Sequence, residues 1–255
     1  SQTSGASNTN IGYQAGYSNT TGGSNTNIGY QAGMDLTTGY DNALIGLEAG
    51  FNLTTGNSNI ALGFRALRTE DTGARNVAVG YQSLYTQNGS TSNMYNTAVG
   101  YNTGRLITTA KQNTLIGGLA GQNITTGEDN VIVGYEAANN LTDGTDNVCM
   151  GKAAFRNGNG YYNTAIGDDA LRGSGTRNFN TAIGRLAGSA LTTGGNNALL
   201  GNSAAASSAT VSNEITLGNS SITALRCAVT SITSLSDERD KSEIKDLEYG
   251  LAFID

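Results

Sequence analysis

Residues 163–184 read NTAIGDDALRGSGTRNFNTAIG, so the pentapeptide NTAIG stands at 163–167 and again, seventeen residues on, at 180–184. Its glycine continues in both directions: Gly12, Gly29, Gly46, Gly63, Gly80, Gly100, Gly117, Gly134, Gly151, Gly167, Gly184, Gly201 and Gly218. Ten of the twelve intervals are 17 residues, one is 20 and one is 16. Such a period means one small unit stacked on copies of itself, each too thin to bury a core alone. The residue before every glycine is large and apolar, and two places earlier stands Thr, Val, Ile or Ala. β-branched residues at alternate positions suit a short strand. The expected fold is all-β, a parallel β-solenoid (β-roll) of about thirteen 17-residue coils.

Strand alternation splits each repeat into two faces. The aliphatic before the glycine, as in Ile45, Ile116 and Ile183, is expected inside the coil. The residue between the two strand anchors is then expected outside; it is Asn10, Asn27, Leu44, Ala61, Ala78, Ala98, Leu115, Ile132, Cys149, Ala165, Ala182, Leu199 or Thr216. A mostly small, apolar outer stripe marks an association surface. The pattern therefore predicts a homotrimer, with Ala61, Ala78, Ala98, Ala165 and Ala182 facing the threefold axis and Asn10 and Asn27 forming polar rings.

Four places before the glycine stands Asn in twelve repeats, from Asn8 to Asn197, and Glu214 in the last. Stacked asparagines can bond amide to amide along a solenoid, and Asn tolerates corner backbone angles. Three places after the glycine ten repeats carry Ala and the others Ser or Thr, so a small side chain is required there. LTTG-like segments at 20–23, 36–39, 53–56, 124–127 and 191–194 supply turns. The three extra residues of the long interval fall near Asn88–Ser92, as an outward loop.

The chain has 255 residues, 36 Gly, no Pro, no Trp and no His, and only 13% are charged. Without His the usual general base and the commonest transition-metal ligand are missing, and no metal or cofactor site is expected. Net charge is −6 with no basic stripe, which argues against nucleic acid. No apolar run reaches transmembrane length, so no membrane insertion is expected. Cys149 and Cys227 lie in different modules with no disulfide or metal spacing. The N-x-T triplets at Asn19, Asn52, Asn123 and Asn140 recur because the turn recurs. Acidic pairs are few: Asp168–Asp169, Glu70–Asp71 and Glu128–Asp129, each read as a solvated corner. The chain opens inside a repeat, which reads as a fragment of something longer.

The organisation read from the sequence is a β-solenoid over 1–221, a β-strand connector over 222–235, and a short α-helical segment over 236–255. In that last segment Ile244, Leu247, Leu251 and Ile254 fall at helical spacing. SDERDKSEI at 236–244, with LEYGL following, resembles the opening of the peptidase S74 family, the C-terminal intramolecular chaperones of phage tail fibres, tailspikes and endosialidases. The resemblance covers about twenty residues, through Ser236, Asp237, Arg239 and Lys241, and implies the truncated start of a domain that trimerises the fibre and then cuts itself off. It implies Ser236 as nucleophile, Lys241 as its base and cleavage between Leu235 and Ser236. A lysine serves as base only when its surroundings lower its pKa.

The repeats over roughly 4–220 resemble the head repeats of trimeric autotransporter adhesins, with a longer period here. Together the two resemblances imply a structural, trimeric tail-fibre segment of a virus or phage-like particle. Its partners would be its own copies and a host-surface receptor, a glycan among the candidates. A bacterial surface adhesin is the alternative, and a polysaccharide-degrading tailspike a weaker one. No enzyme activity is expected beyond a single self-cleavage.

Overall fold

A computed structural model describes residues 5–89, 93–173 and 175–226, and the chain divides into two units at Ser221–Ile222. The first unit is a parallel β-solenoid with no helix among the described residues. Thirteen three-residue strands, from Thr9–Ile11 to Ile215–Leu217, pair in sequence order into one parallel sheet. The register advances by one repeat per strand, Thr26 on Ala43 and Leu44 on Ala61, and absorbs the odd intervals without slipping, Val77 on Thr97 and Val148 on Thr164. At strand spacing of about 4.8 Å the ladder runs about 60 Å. Of the second unit, Ile222–Arg226 are exposed and lie outside the ladder. The rest of the predicted connector, the predicted helical segment, and positions 90–92 of the predicted loop lie outside the described residues.

The inside and outside of each strand are the reverse of the expectation. The middle residue points inward: Asn27, Leu44, Ala61, Ala78, Ala98, Leu115, Ile132, Cys149, Ala165, Ala182 and Leu199 are fully buried. The aliphatics before the glycine point outward, Ile116 being 42% and Ile183 43% exposed and Ile45 half-buried. Asn27 therefore makes no ring on a threefold axis; its amide donates to Asn10 Oδ1 of the same chain at 2.8 Å.

The reason is the thinness of the coil. The two limbs are so close that the middle residue meets the residue four places after the glycine. In most coils one of the pair is large and the other small, and where both are small, as at Ala98 with Gly104 and Ala182 with Gly188, leucines of the adjacent coils fill the space. A Cβ added at Gly50 would lie 2.8 Å from Leu44 Cδ2, and one at Gly121 3.1 Å from Leu115 Cδ2. Where the middle residue is Ala61, Ala78 or Ala165, the facing position holds Leu67, Leu84 or Leu171, each buried. Large side chains thus alternate between the limbs and fill one narrow interior. Behind them lie the expected small column, buried at Ala32, Ala49, Ala66, Ala120 and Ala187, and the turn leucines Leu36, Leu53, Leu141 and Leu191.

Backbone constraints explain the glycine and the corners. Gly46 has φ +133°, and a Cβ there would lie 2.4 Å from the carbonyl oxygen of Gly63 in the next coil. No other residue allows that approach. Non-glycine corner residues also take left-handed angles, for example Asp41 (φ 57°) and Glu48 (φ 52°). That costs about 1 kcal/mol each, offset because their amides donate to the preceding coil, Asp41 N to Gly23 O at 3.1 Å and Glu48 N to Tyr30 O at 2.9 Å.

The asparagine ladder forms as predicted. Asn113 N and Nδ2 donate to Asn96 Oδ1 at 3.0 and 3.3 Å, and Asn113 Oδ1 accepts from Asn130 N and Nδ2 at 3.1 and 3.0 Å. Asn113 Nδ2 also donates to Gly127 O at 2.9 Å, tying the corner to the turn of the next coil. The same pattern ends at Glu214, whose amide donates to Asn197 Oδ1 at 2.9 Å while its carboxylate accepts from Ser207 N at 2.9 Å. Asn113→Ala removes the acceptor of the buried Asn130 amide and a donor to Gly127 O. It is predicted to cost about 3 kcal/mol in denaturant unfolding. Asn123→Ala removes only an exposed amide pair with Asn140 and is predicted to cost less than about 0.5 kcal/mol.

Candidate functional site

Because the middle residues turn inward, each strand offers its two flanking side chains to the outside. The result is a continuous sheet face lined by Ile60, Leu62, Val99, Ile116, Val131, Met150, Ile183, Leu200, Ile215 and Leu217, all exposed, with the intervening residues half-buried. One border of this face is the residue after each glycine, which is aromatic at Tyr13, Tyr30, Phe64, Tyr81, Tyr101 and Tyr135, with Leu47 and Gly118 between them. Tyr13 and Tyr30 stack at 5.2 Å, Phe64 and Tyr81 at 5.0 Å, and Tyr81 and Tyr101 at 5.2 Å, all nearly parallel. The coil spacing sets this distance, and stacked rings extend the apolar surface around the corner. Towards the C-terminal end the same column turns polar, with Arg185 and Asp168 3.7 Å apart.

Charge sits beside the ladder. Glu48 Oε2 accepts from Arg65 Nε at 2.9 Å and Arg68 Nε at 2.6 Å, while Arg65 lies over the Phe64 ring and Arg68 over Phe51. Burial pushes the Glu48 carboxyl upward, but the bonds from Arg68 and Arg65 outweigh it and hold the group below its ordinary 4.5. Arg156 and Glu136 pair at 3.1 Å, and Arg172 and Asp169 at 3.4 Å.

Among the buried polar side chains, Glu70, Gln87 and Arg177 follow none of the repeat's residue patterns. Glu70 is not a solvated corner: it is fully buried in the column otherwise held by Leu36 and Leu53. Its Oε1 accepts from Gly73 N at 2.7 Å and its Oε2 from Gln87 Nε2 at 2.8 Å; Gln87 Oε1 accepts from Asn96 Nδ2 at 2.9 Å. Arg177 fills the coil near Gly158, which brings no side chain of its own. Its guanidinium lies over the Phe155 ring at 4.8 Å and donates to Gly173 O at 2.6 Å, to Leu191 O at 3.2 Å and to Leu171 O. Desolvation lowers Arg177 to about 10, and desolvation raises the buried Cys149 thiol to about 12, against the pull of Arg177. A thiol held protonated in this way is a packing group, not a nucleophile.

Leu235, Ser236 and Lys241, the residues assigned to self-cleavage, lie outside the described residues. Among the described residues no three His, Cys, Asp or Glu side chains gather as a metal would require. No helix there is long and apolar enough to cross a membrane. The outer strand face, with its column of aliphatics, is an extended surface feature of the described residues. Compared with protein-family models, curated proteins and solved structures, the chain matches none.

The Glu48 cluster makes stability depend on pH. A carboxyl whose folded pKa is depressed stabilises the fold above its unfolded value and loses that contribution as pH falls through the folded value. The unfolding midpoint is therefore predicted to drop as pH is lowered from above 4.5 to well below it. In Glu48→Gln the drop is smaller, as measured by thermal unfolding followed by circular dichroism.

Proposed function

We propose that this chain is a structural fibre segment whose copies associate side by side, as a parallel homotrimer, through the outer apolar strand face. The β-solenoid fold is compatible with a fibre-like structural protein. The observation that carries the proposal is the column of aliphatics before each glycine, exposed or half-buried along the whole sheet, beside a second column of Thr, Val, Ile and Ala. A face about 60 Å long and two side-chain columns wide presents on the order of 600 Å². That is at the upper end of what a monomer leaves exposed and near the ~800 Å² each partner of a stable complex buries. The threefold axis accordingly runs along Ile116 and its neighbours and not along the alanines.

Within this reading the fibre belongs to the tail of a virus or phage-like particle and serves attachment to a host surface. Support comes from the likeness of SDERDKSEI to the start of S74 chaperones, C-terminal to a β-rich repeat region. A bacterial surface adhesin built on the same repeat would share the face and the assembly, without the cleavage.

Light scattering should give wild-type protein three times the 26.2 kDa chain mass. Ile116→Glu puts three like charges into the interface and should yield monomers with an unchanged β spectrum. Ala98→Glu buries a carboxylate inside the coil and should destroy the β spectrum itself. A monomeric wild type, or a trimeric Ile116→Glu, would refute the assignment.

Processing is tested separately. When the gene is expressed with sequence continuing beyond Asp255, wild type is expected to give two fragments on a denaturing gel, cut between Leu235 and Ser236. Ser236→Ala is expected to remain whole. Equal cutting of both would leave Ser236 without a role in cleavage.

A further inference from the structure

The 16-residue interval between Gly151 and Gly167 disturbs the return limb of the coil and leaves a small cleft there. Gly158–Asn159 pairs with Gly175–Thr176 as two short parallel strands, the only pairing outside the main sheet among the described residues. Beside them a cavity of about 170 Å³ is lined by Asp143, Gly144, Asn159, Gly160, Tyr161 and Thr176. Tyr161 is exposed, and its orientation is fixed: Tyr162 and Phe179 stack at 5.2 Å, and both meet Tyr161 edge to face at 6.1 and 6.4 Å. The Tyr161 amide donates to Asn178 Oδ1 at 3.0 Å, which fixes the backbone as well.

The polar groups are equally set. Asn159 Nδ2 donates to Asp143 Oδ1 at 2.5 Å, and Thr142 Oγ1 donates to the same oxygen at 3.2 Å. Both side-chain bonds land on Oδ1 and a bond from the Asp143 backbone also reaches the carboxylate, whose four lone-pair sites still leave room to accept from outside. The Asn159 bond, against some desolvation and with help from Thr142, holds this carboxyl below its ordinary value and ionised at neutral pH.

We infer that this cleft binds a single neutral sugar ring, stacked on Tyr161 and held through its hydroxyls by Asp143, Asn159 and Thr176. An aromatic ring beside a few convergent polar groups is the composition of a small-molecule site. The volume falls below the roughly 300 Å³ of sites for larger ligands, which limits the occupant to about one ring. A fixed carboxylate with no cation in the lining selects hydroxyl donors and rejects phosphates, sulfates and acidic sugars. Exposed rings also occur elsewhere, at Tyr17, Tyr40 and Tyr135; Tyr161 is distinguished by the carboxylate and amide side chains that line the same cavity. The biological sense of the site rests on the attachment reading, but every group in it comes from one chain.

Saturation-transfer NMR on the full chain would use D-galactose, D-glucose and D-mannose at millimolar concentration, with N-acetylneuraminic acid as the anionic counterpart. At least one neutral hexose should receive magnetisation and the acidic sugar none. Tyr161→Ala and Asp143→Asn should each weaken binding by about tenfold or more, while Tyr81→Ala leaves it unchanged. Transfer to none of the hexoses overturns the inference. So does transfer unchanged in Asp143→Asn, or loss confined to Tyr161→Ala, which collapse of the ring cluster alone would cause. Light scattering on the same samples separates the two readings: hexose binding by a monomer keeps the cleft and rejects the trimeric fibre, and a trimer without transfer does the reverse.

Discussion

Hydrogen bonds between successive coils run along the stacking direction, and the rest of the structure follows from keeping them. The strand amides, the corner amides and the asparagine side chains all bond to the coil before or after. That arrangement demands that equivalent residues repeat at strand spacing, which leaves no room for a Cβ where Gly46 meets Gly63. It also holds corner residues such as Asp41 and Glu48 in backbone angles they would not choose alone. A stack satisfied in this way needs only a thin apolar filling, because each coil covers its neighbour.

The period, the strand at each glycine, the asparagine ladder and the small column after the glycine were all legible, because each is a residue type recurring at one place in the repeat. The direction of the strand faces is not legible from side-chain size alone. Large aliphatics are ordinarily inside, and here Ile116 and Ile183 are outside because the middle residues of the same strands, Leu115 and Ala182, already face the narrow interior. A signal for it lies between two columns: Leu44 is followed six residues later by Gly50, and Ala61 by Leu67. Residues that trade volume in this way share one space. The trade is not universal, since Ala98 faces Gly104 and Ala182 faces Gly188, and so the interior is only partly legible from the columns.

Glu70, Gln87 and Arg177 could not be read so, since each occurs once and breaks the rule of its own column. Each lies in or beside a coil of irregular length: Gln87 in the 20-residue interval, Glu70 in the coil before it and Arg177 in the coil after the 16-residue one. Arg177 is accommodated where Gly158 gives up its side chain, and Glu70 where Gln87 and two backbone amides meet its oxygens. Buried polar groups are tolerated when so satisfied and costly otherwise. The sugar cleft has the same origin: the shortened coil that admits Arg177 also leaves Asp143 and Asn159 facing each other across its return limb.

Hydrogen bonds aligned with the direction of stacking have a mechanical consequence. Tension applied to the two ends of the solenoid loads its coil junctions in series, so every junction carries the full force and the weakest one yields first. Within a junction the strand bonds, the corner bonds and the asparagine bond share that force side by side. Peeling begins where a junction holds fewer of these bonds. At the C-terminal edge Glu214 replaces the asparagine and ends the side-chain ladder. Lateral association of several chains would set equal junctions in parallel and spread the pull among them. For a thin rod, the exposed apolar face is then a source of tensile strength as much as of cohesion.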